Sequence, residues 1–147
     1  MNGPPRLLER DVTRQVRAFL EQRGWRAIRH QYVHIGAFKQ GEPGMPDFSF
    51  VHYLPKRPGI VGMMWIEFKR PGARSACRCA DRATAGKRGR CTACNQIAWR
   101  TLEASHGAMF APGYDVDVFR TWYATNWGWL HVAGAGLPAQ ADLFLEA

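Results

Sequence analysis

The sequence has no long hydrophobic run. Its most apolar uncharged stretch, around "GIVGMMWI", is far too short to cross a bilayer. The opening "MNGPPRLLER" has no apolar core of the kind a secretory signal carries. Together these point to a cytoplasmic protein with reduced thiols. Acids are scarce, 12 against 20 lysines and arginines in 147 residues, for a net charge of +8. Cysteine is scarcer still, with four in the whole chain, all between positions 77 and 94. No internal repeat is visible, and none of the five histidines has metal-pair spacing on a recognisable element, which argues against a histidine-based centre. What remains is a hydrophobic content of 46%, enough for a real core in one domain spanning 1–147.

A basic excess favours a polyanionic partner, nucleic acid first and an anionic membrane second. Here the excess is concentrated. The stretch "RSACRCADRATAGKRGRC" (74–91) holds Arg74, Arg78, Arg82, Lys87, Arg88 and Arg90 against one acid, Asp81, so it carries +5 of the +8. A concentrated charge suits a binding surface better than a diffuse one.

Residues 7–24, "LLERDVTRQVRAFLEQRG", read as a helix with an apolar stripe of Leu8, Val12, Val16, Phe19 and Leu20 and a stop at Gly24. "WRAIRHQYVHI" reads as a strand, "FKQGEPGMP" as a loop, and "DFSFVHY" and "IVGMMWIEFKR" as strands separated by a Pro/Gly turn. Residues 73–94 have no hydrophobic period and read as an insertion. "NQIAWRTLEASHG" is a helix ending at Gly107 and "AMFA" a short buried strand. "YDVDVFRTWYATNWGW" is a helix capped by an Asp and striped by Val116, Phe119, Tyr123 and Trp127. The first three strands should form an antiparallel meander, and the later crossover needs a parallel partner. The expectation is an α/β fold of order α-β-β-β-α-β, with a mixed four-stranded sheet flanked by helices.

Acids sit in or against the hydrophobic runs. Alternation along "WIEFKR" puts Trp65, Glu67 and Lys69 on one face and Ile66, Phe68 and Arg70 on the other. Asp47 begins the neighbouring strand, and Glu9 edges the apolar stripe of the first helix. Three converging carboxylates repel one another unless a cation lies between them, and a hard divalent ion such as Mg²⁺ suits oxygen ligands. Each piece also has an ordinary explanation: a same-strand salt bridge for Glu67 and Lys69, a turn residue for Asp47, a first-turn acid for Glu9. The combination is harder to dismiss, because buried charges need partners.

The cysteines, Cys77, Cys79, Cys91 and Cys94, follow the pattern C-x-C, eleven residues, C-x-x-C. Two close pairs flanking a short loop are a zinc signal, with two disulfides or four thiols as the alternatives. Four thiolates would close a structural zinc site and fix the surrounding basic residues against phosphates. Because the carboxylates lie on other elements, the rest of the domain is expected to survive loss of that zinc. Trp122, Trp127 and Trp129 either line a dimer interface with the tail "LFLEA" or pack on the domain's own sheet.

Glu9, "GMPD" (44–47), "WIEFKRPG" (65–72) and "NQIAW" (95–99) followed by "LEASHG", in that order, resemble the VRR-NUC family of the PD-(D/E)xK, or restriction-endonuclease-like, nuclease superfamily. The likeness spans roughly residues 7 to 125, most of the chain. It implies a Mg²⁺- or Mn²⁺-dependent DNA endonuclease. In that reading Asp47, Glu67 and the Phe68 backbone carbonyl are metal ligands, Glu9 is an outer metal or water ligand, Lys69 positions the attacking water, and Gln96 orients the site. DNA would be held by Arg70, Arg74, Arg78, Arg82, Lys87, Arg88 and Arg90. Stand-alone members of the family resemble small homodimeric phage or bacterial nucleases acting on branched DNA such as four-way (Holliday) junctions. The cysteine-bearing insertion departs from the family pattern, which puts the substrate choice in question. A non-catalytic, zinc-stabilised DNA-binding module on a nuclease fold is the alternative.

Overall fold

A computed structural model of the chain describes residues 7–30, 33–35, 38–40, 42–54, 59–71, 79 and 91–131, with the backbone alone for 33–35 and 38–40. Cys77 and the basic residues Arg74, Arg78, Arg82, Lys87, Arg88 and Arg90 lie outside the described residues, as does the "LFLEA" tail.

Helix α1 (Glu9–Glu21) buries Val12, Val16 and Leu20, and the Asp11 carboxylate accepts the Leu8 N–H ahead of its first turn. Gly24, at φ +83°, turns the chain out of the helix. Strand β1 (Arg26–Arg29) follows, then a separate two-stranded ribbon of β2 (Val33–Ile35) and β3 (Phe38–Gln40). Strands β4 (Phe48–Tyr53) and β5 (Val61–Ile66) come next, then α2 (Thr92–Ser105), β6 (Phe110–Ala111) and α3 (Val116–Trp127), ending in a tighter turn at Gly128–His131. The main sheet has the order β1-β4-β5-β6, antiparallel across the first three strands and parallel between β5 and β6. The expected mixed four-stranded sheet with flanking helices is what the chain forms.

Four local expectations are corrected. "WRAIRHQYVHI" is two strands in two different sheets, and Phe38–Gln40, read as loop, is the partner of Val33–Ile35. Strand β5 ends at Ile66, before Glu67. Helix α2 begins at Thr92, so Cys94 belongs to the helix and not to the insertion.

The sheet has two covered faces. Phe48, Phe50, Met64 and Ile66 point into a core with α1 and α3, where Phe19 packs edge-on to Tyr123. On the opposite face, Trp65 meets Trp99 of α2 with ring centroids 4.9 Å apart. Asp115 caps α3, its Oδ1 accepting the N–H groups of Asp117 and Val118. Trp127 packs edge-on against Trp25 and Gly62 leaves it room, so this tryptophan belongs to the domain's own core. Among the described residues no helix is long and apolar enough to cross a membrane.

Candidate functional site

Glu67 is the hub. Although β5 ends one residue earlier, its alternation continues: Ile66 and Phe68 are buried, while Glu67 and Lys69 are half-buried on the other side. The reason is the neighbouring segment. Trp65 N–H donates to Met109 O at 2.9 Å and Lys69 N–H to Gly113 O at 3.1 Å, so 65–69 stays extended beside 109–113. The approach is close enough that a Cβ on Gly113 would lie 2.4 Å from the Glu67 carbonyl oxygen.

Three donors fix the Glu67 carboxylate. Lys69 Nζ lies 2.6 Å from Oε1, Gln96 Nε2 donates to the same oxygen at 2.5 Å, and Asp47 N–H donates to Oε2 at 3.2 Å. Residues from the loop before β4, the end of β5 and the start of α2 thus converge on one side chain. The Asp47 carbonyl accepts the N–H of His30 at 2.7 Å, pinning the loop to the end of β1. Asp47 as a residue is open to solvent, yet its carboxyl is raised above the ordinary aspartate range. Desolvation is the largest cause; the Glu9 charge pushes the same way, while Lys69 and Arg29 pull it down. Glu9 is exposed and lines a recess with Asp47.

Two recesses border these carboxylates. One, of about 580 Å³, is bounded by Glu67, Lys69, Gln96, Arg100 and Tyr114. The other lies along α1 and is bounded by Glu9, Arg10, Arg14, Arg17, Arg29 and Asp47. The residues expected to hold DNA were Arg70 and six cations of the insertion; Arg10, Arg14 and Arg17 of α1, which line this recess, were not among them. Their signal was legible: Arg10, Arg14 and Arg17 recur at helical spacing on the side of Glu9. Of the seven basic residues expected to hold DNA, Arg70 is the described one, and it is exposed.

The loop that carries Asp47 is clamped to α2. A Cβ on Gly44 would fall 2.1 Å from the Asn95 carbonyl oxygen, and Trp99 Nε1 donates to Glu42 Oε2 at 3.0 Å. "GMPD" and "NQIAW" are therefore a contacting pair.

Among the described residues the side-chain group gathered closely enough to hold a metal is a thiol cluster, so Glu9, Asp47 and Glu67 are neighbours around two recesses and not the three converging carboxylates that were expected. Glu67 Oε2 accepts one hydrogen bond and keeps a second lone pair. The Phe68 side chain is buried against Phe48, in the core behind the site.

A second cluster lies at the start of α2. The thiols of Cys79, Cys91 and Cys94 have their sulfurs within 4.8 Å of one another, where a metal ion could be held. Cys79 Sγ and Cys94 Sγ are 3.6 Å apart, far beyond a disulfide bond. Tetrahedral zinc with Zn–S bonds of about 2.3 Å sets its sulfurs roughly 3.8 Å apart. The N–H of Cys94 donates to Cys91 Sγ at 3.5 Å, so Cys91 is also the helix cap.

No protein-family model, curated protein or solved structure matches this chain.

Proposed function

We propose that the chain is a divalent-metal-dependent DNA endonuclease of the VRR-NUC type within the PD-(D/E)xK superfamily, acting on branched or junction DNA and carrying a structural zinc. The observation that carries this reading is the convergence on Glu67 of Lys69, Gln96 and the Asp47 main chain, beside a desolvated Asp47 carboxyl that feels Glu9. Asp47 and Glu67, with the Phe68 carbonyl, would hold Mg²⁺ or Mn²⁺; Glu9 is suited to a water in that shell. When bound, such an ion supplies Lewis-acid polarisation of a phosphate oxygen and acidifies a water.

The remaining work falls to the chain's own groups. Lys69 Nζ, paired with Glu67, would orient an attacking water and offset charge developing on the phosphate. Gln96 fixes the Glu67 rotamer, which keeps that lysine in place. Arg10, Arg14, Arg17 and Arg29 beside Asp47 offer cations to a phosphodiester backbone, and phosphate contacts of this kind fix register without reading sequence. Cys79, Cys91 and Cys94 are suited to zinc together with Cys77, and the homodimer remains part of the proposal through the family likeness.

One observation favours a non-catalytic DNA-binding module instead: Glu67 already has three hydrogen-bond donors, as a self-contained structural network would. Cleavage of end-labelled duplex, flap, splayed and four-way DNA in Mg²⁺ and in EDTA separates the two. The endonuclease reading expects Mg²⁺-dependent products from at least one substrate, while binding without products under every metal condition supports the module.

A further inference from the structure

Resting on the carboxylate site proposed above, we infer that the thiol cluster of Cys79, Cys91 and Cys94 is a thiophilic-metal site that positions that carboxylate site, so that its occupancy governs the geometry around Glu67. The sequence suggested two independent centres. The structure joins them through the first five residues of α2.

Cys91 caps the helix, and its sulfur accepts the N–H of Cys94. Cys94 itself is 0% exposed, and its sulfur faces that of Cys79. Two residues on, Gln96 donates to Glu67 Oε1. The backbone between them, Asn95 to Gln96, is in direct contact with Gly44, and one turn later Trp99 holds Glu42. The start of α2 therefore braces the side chain of Glu67 and the loop that carries Asp47. A helix has unsatisfied N–H groups at its start and frays there unless they are capped. A metal-bound thiolate is a fixed, anionic acceptor for such a group, and soft thiolates select zinc-like ions. Remove the ion, and three crowded thiols must separate or lose charge. The first turn of α2 then loses its anchor, and Gln96 and the Gly44 loop move with it. Gln96 is thus a positioning residue, and the cysteines act through it and through the Gly44 loop.

The test uses full-length protein as purified, metal-stripped with a thiophilic chelator, and refilled with Zn²⁺ or Cd²⁺. Three quantities are read: the side-chain amide resonance of Gln96, the affinity for Mn²⁺, and DNA cleavage. Stripping should shift or broaden the Gln96 amide and weaken Mn²⁺ binding about 10- to 100-fold, the usual effect of losing support behind a metal ligand, and refilling should restore both. In Gln96→Ala part of the Mn²⁺ loss should already be present, and stripping should take away less than it does from the wild type, because the two changes share the Gln96–Glu67 contact and the remainder passes through the Gly44 loop. Cys79→Ser, outside the helix, should reproduce stripping without disturbing the Phe50 core resonances. An unmoved Gln96 amide with unchanged Mn²⁺ affinity would overturn the inference, as would additive losses in Gln96→Ala or collapse of the whole fold on stripping. Failure of the nuclease reading looks different: no cleavage in any state, with the Gln96 amide still following cluster occupancy.

Discussion

Glu67 shows how much one side chain can organise. Three donors from three elements meet on it, so its charge is held in a place where free solvation is reduced. If Glu67 and Asp47 hold the metal as proposed, Glu67→Gln and Asp47→Asn should each cut Mg²⁺-dependent turnover by about 10²-fold or more while leaving the fold intact, checked by single-turnover cleavage and thermal melting. DNA binding in Ca²⁺ or EDTA should persist or tighten, since repulsion of phosphate falls. Lys69→Ala should lose turnover with a smaller change in Mn²⁺ affinity; unchanged turnover would reduce the lysine to a salt-bridge partner. A different residue network sets a pH response. Trp25 Nε1 donates to Tyr123 Oη at 2.8 Å, and Tyr123 Oη lies 2.7 Å from His131 Nε2. All three groups are satisfied when the tyrosine donates to a neutral imidazole. Desolvation, followed by Arg23 and His52, lowers the His131 pKa below 6.5. A lowered histidine pKa means the unfolded chain takes up the proton first. Stability should therefore be complete above pH 6.5 and decline as pH falls below it, modestly because His131 is largely exposed. Melting temperatures from pH 7.5 to 5 should show a slope that flattens in His131→Ala.

At the scale of elements, the start of α2 and the Gly44 loop form the decisive contact. Gly44 has φ +92° and no room for a Cβ against Asn95. Gly44→Ala should cost about 1–3 kcal/mol by denaturant unfolding and should weaken Mn²⁺ binding as well, because the loop bearing Asp47 must retreat from α2. A stable, fully active variant would show that this contact is dispensable. Much at this scale was legible in the sequence. The stripes Val12–Val16–Leu20 and Phe119–Tyr123–Trp127, the Asp115 cap and the alternation through "WIEFK" each declare themselves by spacing. The β2–β3 ribbon was not, since its three-residue strands are too short to show a period. Nor was the reach of α2 back to Thr92, because its cap is a cysteine, a residue type that carries no ordinary capping signal. The bond from Gln96 to Glu67 spans 29 residues and depends on the β5-α2-β6 crossover, so no local pattern could give its distance.

As a whole, the molecule sets one hydrophobic core beside two clusters of different chemistry, the carboxylates around Glu67 and the thiols at the start of α2. The core rests on side chains such as Phe50, 0% exposed between the sheet and its helices. Metal analysis of protein prepared under reducing conditions should find about one zinc per chain; its absence would remove the sulfur centre. The proposed hydrolysis is tested by incubating wild-type and Glu67→Gln protein with labelled four-way and duplex DNA in Mg²⁺ and in EDTA. An endonuclease should give discrete cleavage products with the wild type in Mg²⁺ alone, lost in EDTA and in Glu67→Gln. Products of equal yield from Glu67→Gln, or none from the wild type with zinc and Mg²⁺ both present, would contradict the proposal.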